Sequence, residues 1–409
     1  MAVHRVSFYF KRSLLLLGFL LSAACLSGCG GGAGSDTSRA VVPAVLPAVV
    51  PINSVGAGQF KDSTALRTIS TVEISAAMDL AGAAAFRATP RYAVQTHRLT
   101  YLTQDAQGRE ILASGLIALP LKPANSPSPV LSYQHGTLTQ QAQAPSNLPD
   151  LASPEVVLAS QGYIVLSADY VGYGASKASA HPYLLATPSA AAVIDLLTAA
   201  KYWRQIQRIQ DNQQIFLAGY SEGAYVTLAT QKALDTGTSP HRSEIVSVAA
   251  GAGPYNVGRT LDEELKLVRL ANPLIGGLLN PGFLRFLGDT DRRNVRDQLL
   301  AQVLDANSDV TFSPVVIDNY LADNRAAIEA FSNVDDWRAT VPVDLFHGVD
   351  DRTVSYLVSS GTLQAMQSKG SANLVKLTNC SAVPAGHLEC VLPYWRFMLD
   401  SFGKLAKNL

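Results

Sequence analysis

An α/β fold with a mostly parallel central sheet, flanking helices and an inserted helical cap is what this sequence predicts. Short apolar runs alternate with helix-prone stretches over most of residues 94–250 and 343–405. These runs are apolar enough to be covered on both faces, a property of parallel strands rather than of a sheet with one wet face. One interval, from about Gly258 to Val341, holds helix-like pieces and no convincing strand. A length of 409 residues with 48% hydrophobic and 16% charged residues suits one globular domain carrying such an elaboration.

The chain opens with Arg5, Lys11 and Arg12, then Leu14 to Leu21, then small residues, the order of a secretory signal over residues 1–28. The apolar run is too short to remain as a spanning helix. Leu26-Ser27-Gly28-Cys29 resembles the lipobox of bacterial lipoproteins, which implies a lipidated Cys29 and an anchored N-terminus. Gly30, in place of an aspartate, then implies an outer-membrane destination; plain secretion or a periplasmic location is the alternative. Residues 29–65, rich in glycine and then in Pro, Val and Ala, lack periodicity and read as a tether.

The first core segment is assigned to residues 66–257, starting with a helix from Ile69 to Phe86. Val94 to Leu102 and Glu110 to Leu119 alternate β-branched or aromatic residues with polar ones around Asp105-Ala106-Gln107-Gly108, which predicts a hairpin. Further strands are expected at Val130 to Tyr133, Tyr163 to Ala168, Gln214 to Ala218, Glu244 to Ala250, Val343 to Phe346 and Asn373 to Leu377. Helices are expected at Ala190 to Trp203, Glu222 to Leu234, Val354 to Gln367 and Val391 to Leu405. Residues 258–341 form the cap, and 342–409 return to the core. Asn272 to Pro281 with Phe283, Leu284, Phe286 and Leu287 would line a pocket, form a lid or hold the cap's helices together.

The 32 basic and 32 acidic residues cancel, and no basic run follows the N-terminus, so nothing supports nucleic-acid binding or capture of a highly charged ligand. Of four cysteines, Cys25 leaves with the signal and Cys29 carries lipid. Cys380 and Cys390 remain, free to pair in an oxidising compartment or to stay as buried thiols.

Gly219-Tyr220-Ser221-Glu222-Gly223 follows the apolar Ile215 to Ala218 and opens the helix-prone Ala224 to Ala229. That context reads as a nucleophile elbow, in which flanking glycines let a strand turn sharply into a helix and thrust the serine hydroxyl forward. A glycine-rich turn is the bland alternative. With the apolar Val343 to Phe346 followed by His347-Gly348-Val349-Asp350-Asp351-Arg352-Thr353-Val354, the chain resembles the alpha/beta-hydrolases, whose HGxxDxxV signature carries the triad acid. The resemblance implies an alpha/beta-hydrolase fold and assigns the acid to Asp351 over Asp350, with Ser355 standing where the family has proline. It also implies that the base follows the acid. Of seven histidines only His387, in the loop Pro384 to Cys390 before the last helix, does so. His347 is assigned a structural part.

Tyr133-Gln134-His135-Gly136-Thr137 resembles the family's oxyanion loop, which implies backbone donors at Thr137 and Glu222 supported by His135 and Gly136. Gly136 is expected to permit a close approach; an ordinary strand-ending turn is the alternative. Asp169 to Ser176, His181-Pro182-Tyr183-Leu184 and Gly251 to Asn256 extend the likeness to the secretory lipases, the family of Candida antarctica lipase A and many exported bacterial hydrolases. Over roughly 90–257 and 342–400 this likeness implies carboxylic ester hydrolysis through an acyl-enzyme, without metal or organic cofactor and with the cap inserted after the sixth strand, while the balanced charge points to a neutral or apolar substrate. His181 to Tyr183 either borders the site or initiates a helix. A serine peptidase on the same scaffold and a binding lipoprotein without chemistry are the rival readings.

Overall fold

The computed structural model of the protein describes residues 52–80, 88–147, 149–271, 288–303 and 307–409, with 282, 285 and 286. The expected signal, Cys29, most of the tether, the end of the first helix at Phe86, the segment Asn272 to Pro281, Phe283, Leu284 and Leu287 lie outside the described residues.

Nine strands form one sheet: β1 Phe60–Ile69, β2 Val94–Gln104, β3 Glu110–Pro120, β4 Ser128–Gln134, β5 Ile164–Ala168, β6 Asp211–Tyr220, β7 Ile245–Gly251, β8 Val343–His347 and β9 Val375–Asn379. Their order is β1-β2-β3-β5-β4-β6-β7-β8-β9. The pairings β1–β2, β2–β3 and β3–β5 are antiparallel, and from β5 to β9 every pairing is parallel. In the parallel part successive side chains alternate between two cores: Leu217 and Leu345 face one, Phe216, Ala218 and Phe346 the other. Helices α3 (Ala186–Ile206), α4 (Glu222–Thr236) and α9 (Tyr356–Met366) fill the first core with Trp203, Tyr225 and Val358. The second is filled from α1 (Thr71–Leu80), α2 (Pro154–Ser160) and α10 (Val391–Gly403), by Ile74, Val157 and Trp395. Each double-sided strand is thereby covered, as its apolar composition requires.

Strand β1 corrects the tether boundary, because six of its residues, Phe60 to Ala65, were assigned to residues 29–65. It is an edge strand with one neighbour and mostly exposed or half-buried side chains, so its polar composition hides it. The first helix starts at Thr71 rather than Ile69, since Ser70 and Glu73 form a reciprocal cap: the Glu73 N–H donates to Ser70 Oγ and the Ser70 N–H to Glu73 Oε2. Helix α2 was not foreseen, although Ser153 caps it and Pro154 occupies its first turn.

The cap lies between β7 and β8, after the seventh strand rather than the sixth because β1 adds one in front. Its described helices are α5 Val257–Ala271, α6 Asp289–Val303, α7 Val315–Leu321 and α8 Arg325–Phe331. Val310, Phe312, Val316, Tyr320 and Ile328 pack into the first core. Phe286 instead is 76% exposed with the Arg285 guanidinium over its ring, so it lines no interior. The single strand-like contact from the cap is a parallel bridge between Phe312 and His181 among the described residues.

Candidate active site

The site stands at the carboxyl ends of the parallel strands, where a chain leaving the sheet has room to present side chains. Strand β6 ends at Tyr220 and α4 begins at Glu222, so one residue makes the whole turn. That residue, Ser221, has φ 58° and ψ −124°, a left-handed backbone state that a non-glycine residue holds only under constraint. Its N–H donates to Gly251 O at 2.8 Å. The elbow glycines are fixed by space: a Cβ on Gly219 would stand 2.3 Å from Gly223 O, and one on Gly223 2.0 Å from Gln134 O. From below, Tyr394 Oη accepts from the Gly219 N–H at 3.0 Å and donates to Ala249 O at 2.9 Å.

His387 Nε2 lies 3.0 Å from Ser221 Oγ, and His387 Nδ1 lies 2.6 Å from Asp351 Oδ2. A carboxylate only accepts, so Nδ1 carries the hydrogen and the Nε2 lone pair faces the serine hydroxyl. Tyr220 Oη donates to His387 O at 2.7 Å, tying the histidine loop to the elbow. Asp351 Oδ1 accepts from the N–H groups of Thr353 and Val354 at 2.8 and 2.9 Å. Those bonds delay α9 to Tyr356, and Ser355, in the position of the family's proline, caps it through Leu357 N–H. Burial alone would raise the Asp351 carboxyl, but hydrogen bonds from His347 and His387 and the charge of His387 hold it well below the usual carboxylate range.

His347 is the second histidine on that carboxylate. Its Nε2 faces both Asp351 Oδ2 at 3.1 Å and Val354 O at 2.8 Å, so this nitrogen donates, while Nδ1 accepts from Ser359 Oγ at 2.6 Å. Asp350 points the other way: its Oδ2 accepts from Ala385 N–H at 2.9 Å and its N–H donates to Ala385 O at 3.0 Å. The two adjacent aspartates thus divide, one toward the imidazole and one bracing the loop that bears it. Cys380 and Cys390 are joined, with Cα atoms 5.9 Å apart, across the same loop.

Thr137 lies three residues past Gln134, which pairs with Gly219 in the sheet, so its loop runs beside the elbow. Neither the Thr137 N–H nor the Glu222 N–H donates to another protein group among the described residues, and Glu222, as first residue of α4, has no intrahelical acceptor to use. His135 stacks on Tyr170 at 4.0 Å between centroids, and its Nδ1 sits 2.8 Å from Gly136 O. Gly136 does not match its expected part in one respect: a Cβ there would meet only Tyr220 O at 3.6 Å, an ordinary contact.

The sequence does not disclose the partner of the buried Glu222 side chain. The Glu222 side chain pairs with His181, Oε1 to Nε2 at 2.7 Å, and both side chains are 2% exposed. A signal was present, since an acid in the first turn after an elbow is buried by the sheet and needs a partner. Sequence separation of 41 residues concealed which one. On the cap side, Glu264 of α5 is raised to about 7, first by burial and then by the charge of Asp351.

No curated protein sequence matches the chain. Among solved structures, the ligand-bound rice cell wall degrading esterase LipA from Xanthomonas oryzae superposes with a TM-score of 0.66 at 23% identity, covering 85% of this chain and 99% of that one. Candida antarctica lipase A in its closed state superposes with a TM-score of 0.54 at 17% identity, covering 87% and 84%. Both share the fold described above. Residues 135–395, well over half the sequence, match the alpha/beta hydrolase family, and the chain belongs to it.

Proposed function

We propose that this protein is a serine carboxylic ester hydrolase of lipase or esterase type, acting on neutral, apolar esters. The observation that carries the reading is the pair of contacts on one imidazole, 3.0 Å to Ser221 Oγ and 2.6 Å to Asp351 Oδ2. Ser221 Oγ attacks the ester carbonyl carbon as His387 Nε2 takes its proton, and Asp351 holds the ring and stabilises the imidazolium. The carbonyl oxygen becomes an oxyanion received by the N–H groups of Thr137 and Glu222. Collapse breaks the bond to the alkoxy oxygen, His387 protonates the departing alcohol, and an acyl ester remains on Ser221. Water then attacks that ester, His387 takes the water's proton, and the acid leaves as Ser221 recovers its hydrogen.

A hydrolase of neutral esters also agrees with a chain whose charges cancel. The Cys380–Cys390 disulfide fits an oxidising compartment outside the cytosol, which supports the export read from residues 1–28. Lipidation at Cys29 and an outer-membrane location complete the proposal; incorporation of labelled palmitate that survives Cys29→Ser would remove that part.

The test is a nitrophenyl ester series of increasing acyl length, run on wild type and Ser221→Ala beside aminoacyl anilides. Ester turnover that vanishes in Ser221→Ala is the expected result. Faster turnover of the anilides would make the protein a peptidase, and no turnover of either would leave the binding lipoprotein.

A further inference from the structure

We propose that His181 is a positioning residue for the oxyanion donor at Glu222, fixing it through a buried side-chain pair that is itself held by the cap. The inference rests on the proposed ester hydrolysis and concerns the same site. Glu222 supplies a backbone N–H to the oxyanion, while its carboxylate is turned away from water at 2% exposure. One oxygen of that carboxylate, Oε1, meets His181 Nε2 at 2.7 Å, and the other, Oε2, is buried with no partner among the described residues. Among the described residues, His181 is therefore the one side chain that holds this acid.

The ring that does so is itself fixed on all sides. Nδ1 lies 2.9 Å from Val171 O, a carbonyl that can only accept, so Nδ1 carries a hydrogen. One proton then lies between Nε2 and Oε1, whether the pair is written as imidazolium and carboxylate or as two neutral groups. The rings of Tyr173 and Phe312 stand 5.0 and 5.2 Å from His181 and Tyr170 stacks at 6.1 Å. The backbone is gripped by the cap: His181 N–H donates to Thr311 O at 2.7 Å, and Ser313 N–H donates to His181 O at 2.8 Å. A continuous path thus runs from residues 311–313 through His181 to Glu222 and to the first turn of α4. A small displacement of a donor aimed at the oxyanion weakens transition-state binding far more than substrate binding.

The experiment compares His181→Gln, whose amide reaches Glu222, with His181→Asn, which reaches only as far as Val171, and with His181→Phe. Each is read by kcat, by KM and by inhibition with a trifluoromethyl ketone, whose adduct carries the oxyanion. His181→Asn and His181→Phe are expected to lose about 10- to 100-fold in kcat with KM within about threefold, and to weaken the ketone by the same factor as kcat. His181→Gln is expected to recover most of both. Equal behaviour of Asn and Gln, or a fall in kcat with unchanged ketone affinity, overturns the proposal. Should the His181 variants fail to fold, Glu222→Ala keeps the N–H but removes the held side chain; it must show the same paired loss, and wild-type values there overturn the proposal as well. Absence of ester turnover in the wild type would instead defeat the hydrolase reading.

Discussion

The sheet that carries Ser221, Asp351 and His387 and the cap inserted between β7 and β8 are built on different terms. In the sheet, positions around the site admit almost no substitution of shape: Phe216, Leu217 and Ala218 are fully buried, and the elbow glycines stand closer to carbonyl oxygens than any side chain allows. The cap's described helices are laced on their outer side by exposed ion pairs such as Arg325 with Asp262 at 2.8 Å, Arg285 with Asp323 at 3.2 Å and Arg296 with Asp318 at 3.3 Å. Such pairs are individually weak and replaceable. The contrast teaches that the contacts among Ser221, His387 and Asp351 hang on backbone sterics, whereas the cap's exposed ion pairs can change without disturbing them.

The sharpest break of that contrast is made in the sheet. Ser221→Ala is expected to lower kcat by about 10⁴- to 10⁶-fold with the thermal transition intact, and Asp351→Asn to lower it by about 10⁴-fold. Asp351→Asn also changes the acid limb of stability. The carboxyl's pKa is depressed on folding, so its contribution is whole above about pH 4 and is lost as pH falls toward the folded value. The variant, measured by thermal unfolding from about pH 2 to about pH 5, should lose that slope. Gly223→Ala, which puts a methyl 2.0 Å from Gln134 O, should cost about 3 kcal/mol in urea unfolding and most of the activity.

Those positions were the ones most legible in the sequence. The elbow shows its glycines on either side of a serine between a strand and a helix, and the order of acid and base leaves one histidine. Asp350 and Asp351 could be separated only through a family resemblance, because their opposite directions arise from a turn whose backbone donors no spacing reveals. Strand β1 was missed for having a single neighbour, and α2 was missed although its serine and proline were in view. The pairing of Glu222 with His181 is set by tertiary contact alone. In the cap, helices were legible as helices, but ion pairs such as Arg325 with Asp262, 63 residues apart, follow no local rule.

Milder changes sharpen the comparison further. Reduction of Cys380–Cys390 should lower turnover and destabilise by roughly 2–3 kcal/mol without abolishing the fold, because the bridge restrains the His387 loop rather than the sheet. Glu264→Gln tests the cap's electrostatic link to the acid. A carboxyl raised to about 7 on folding imposes no cost below the unfolded value near 4.3 and a growing one as pH rises through 7. The variant should therefore melt about 2 °C higher at pH 8.5 and at the wild-type temperature at pH 4. Arg325→Ala should change stability by less than about 1 kcal/mol and leave kcat untouched.

Covalent labelling tests the convergence of hydroxyl, imidazole and carboxylate most directly. Incubation with a fluorophosphonate followed by intact-mass and peptide mapping should give one adduct, on Ser221, that is lost in Ser221→Ala and strongly slowed in His387→Ala. An adduct on another residue, or labelling of Ser221→Ala at the wild-type rate, would contradict the account.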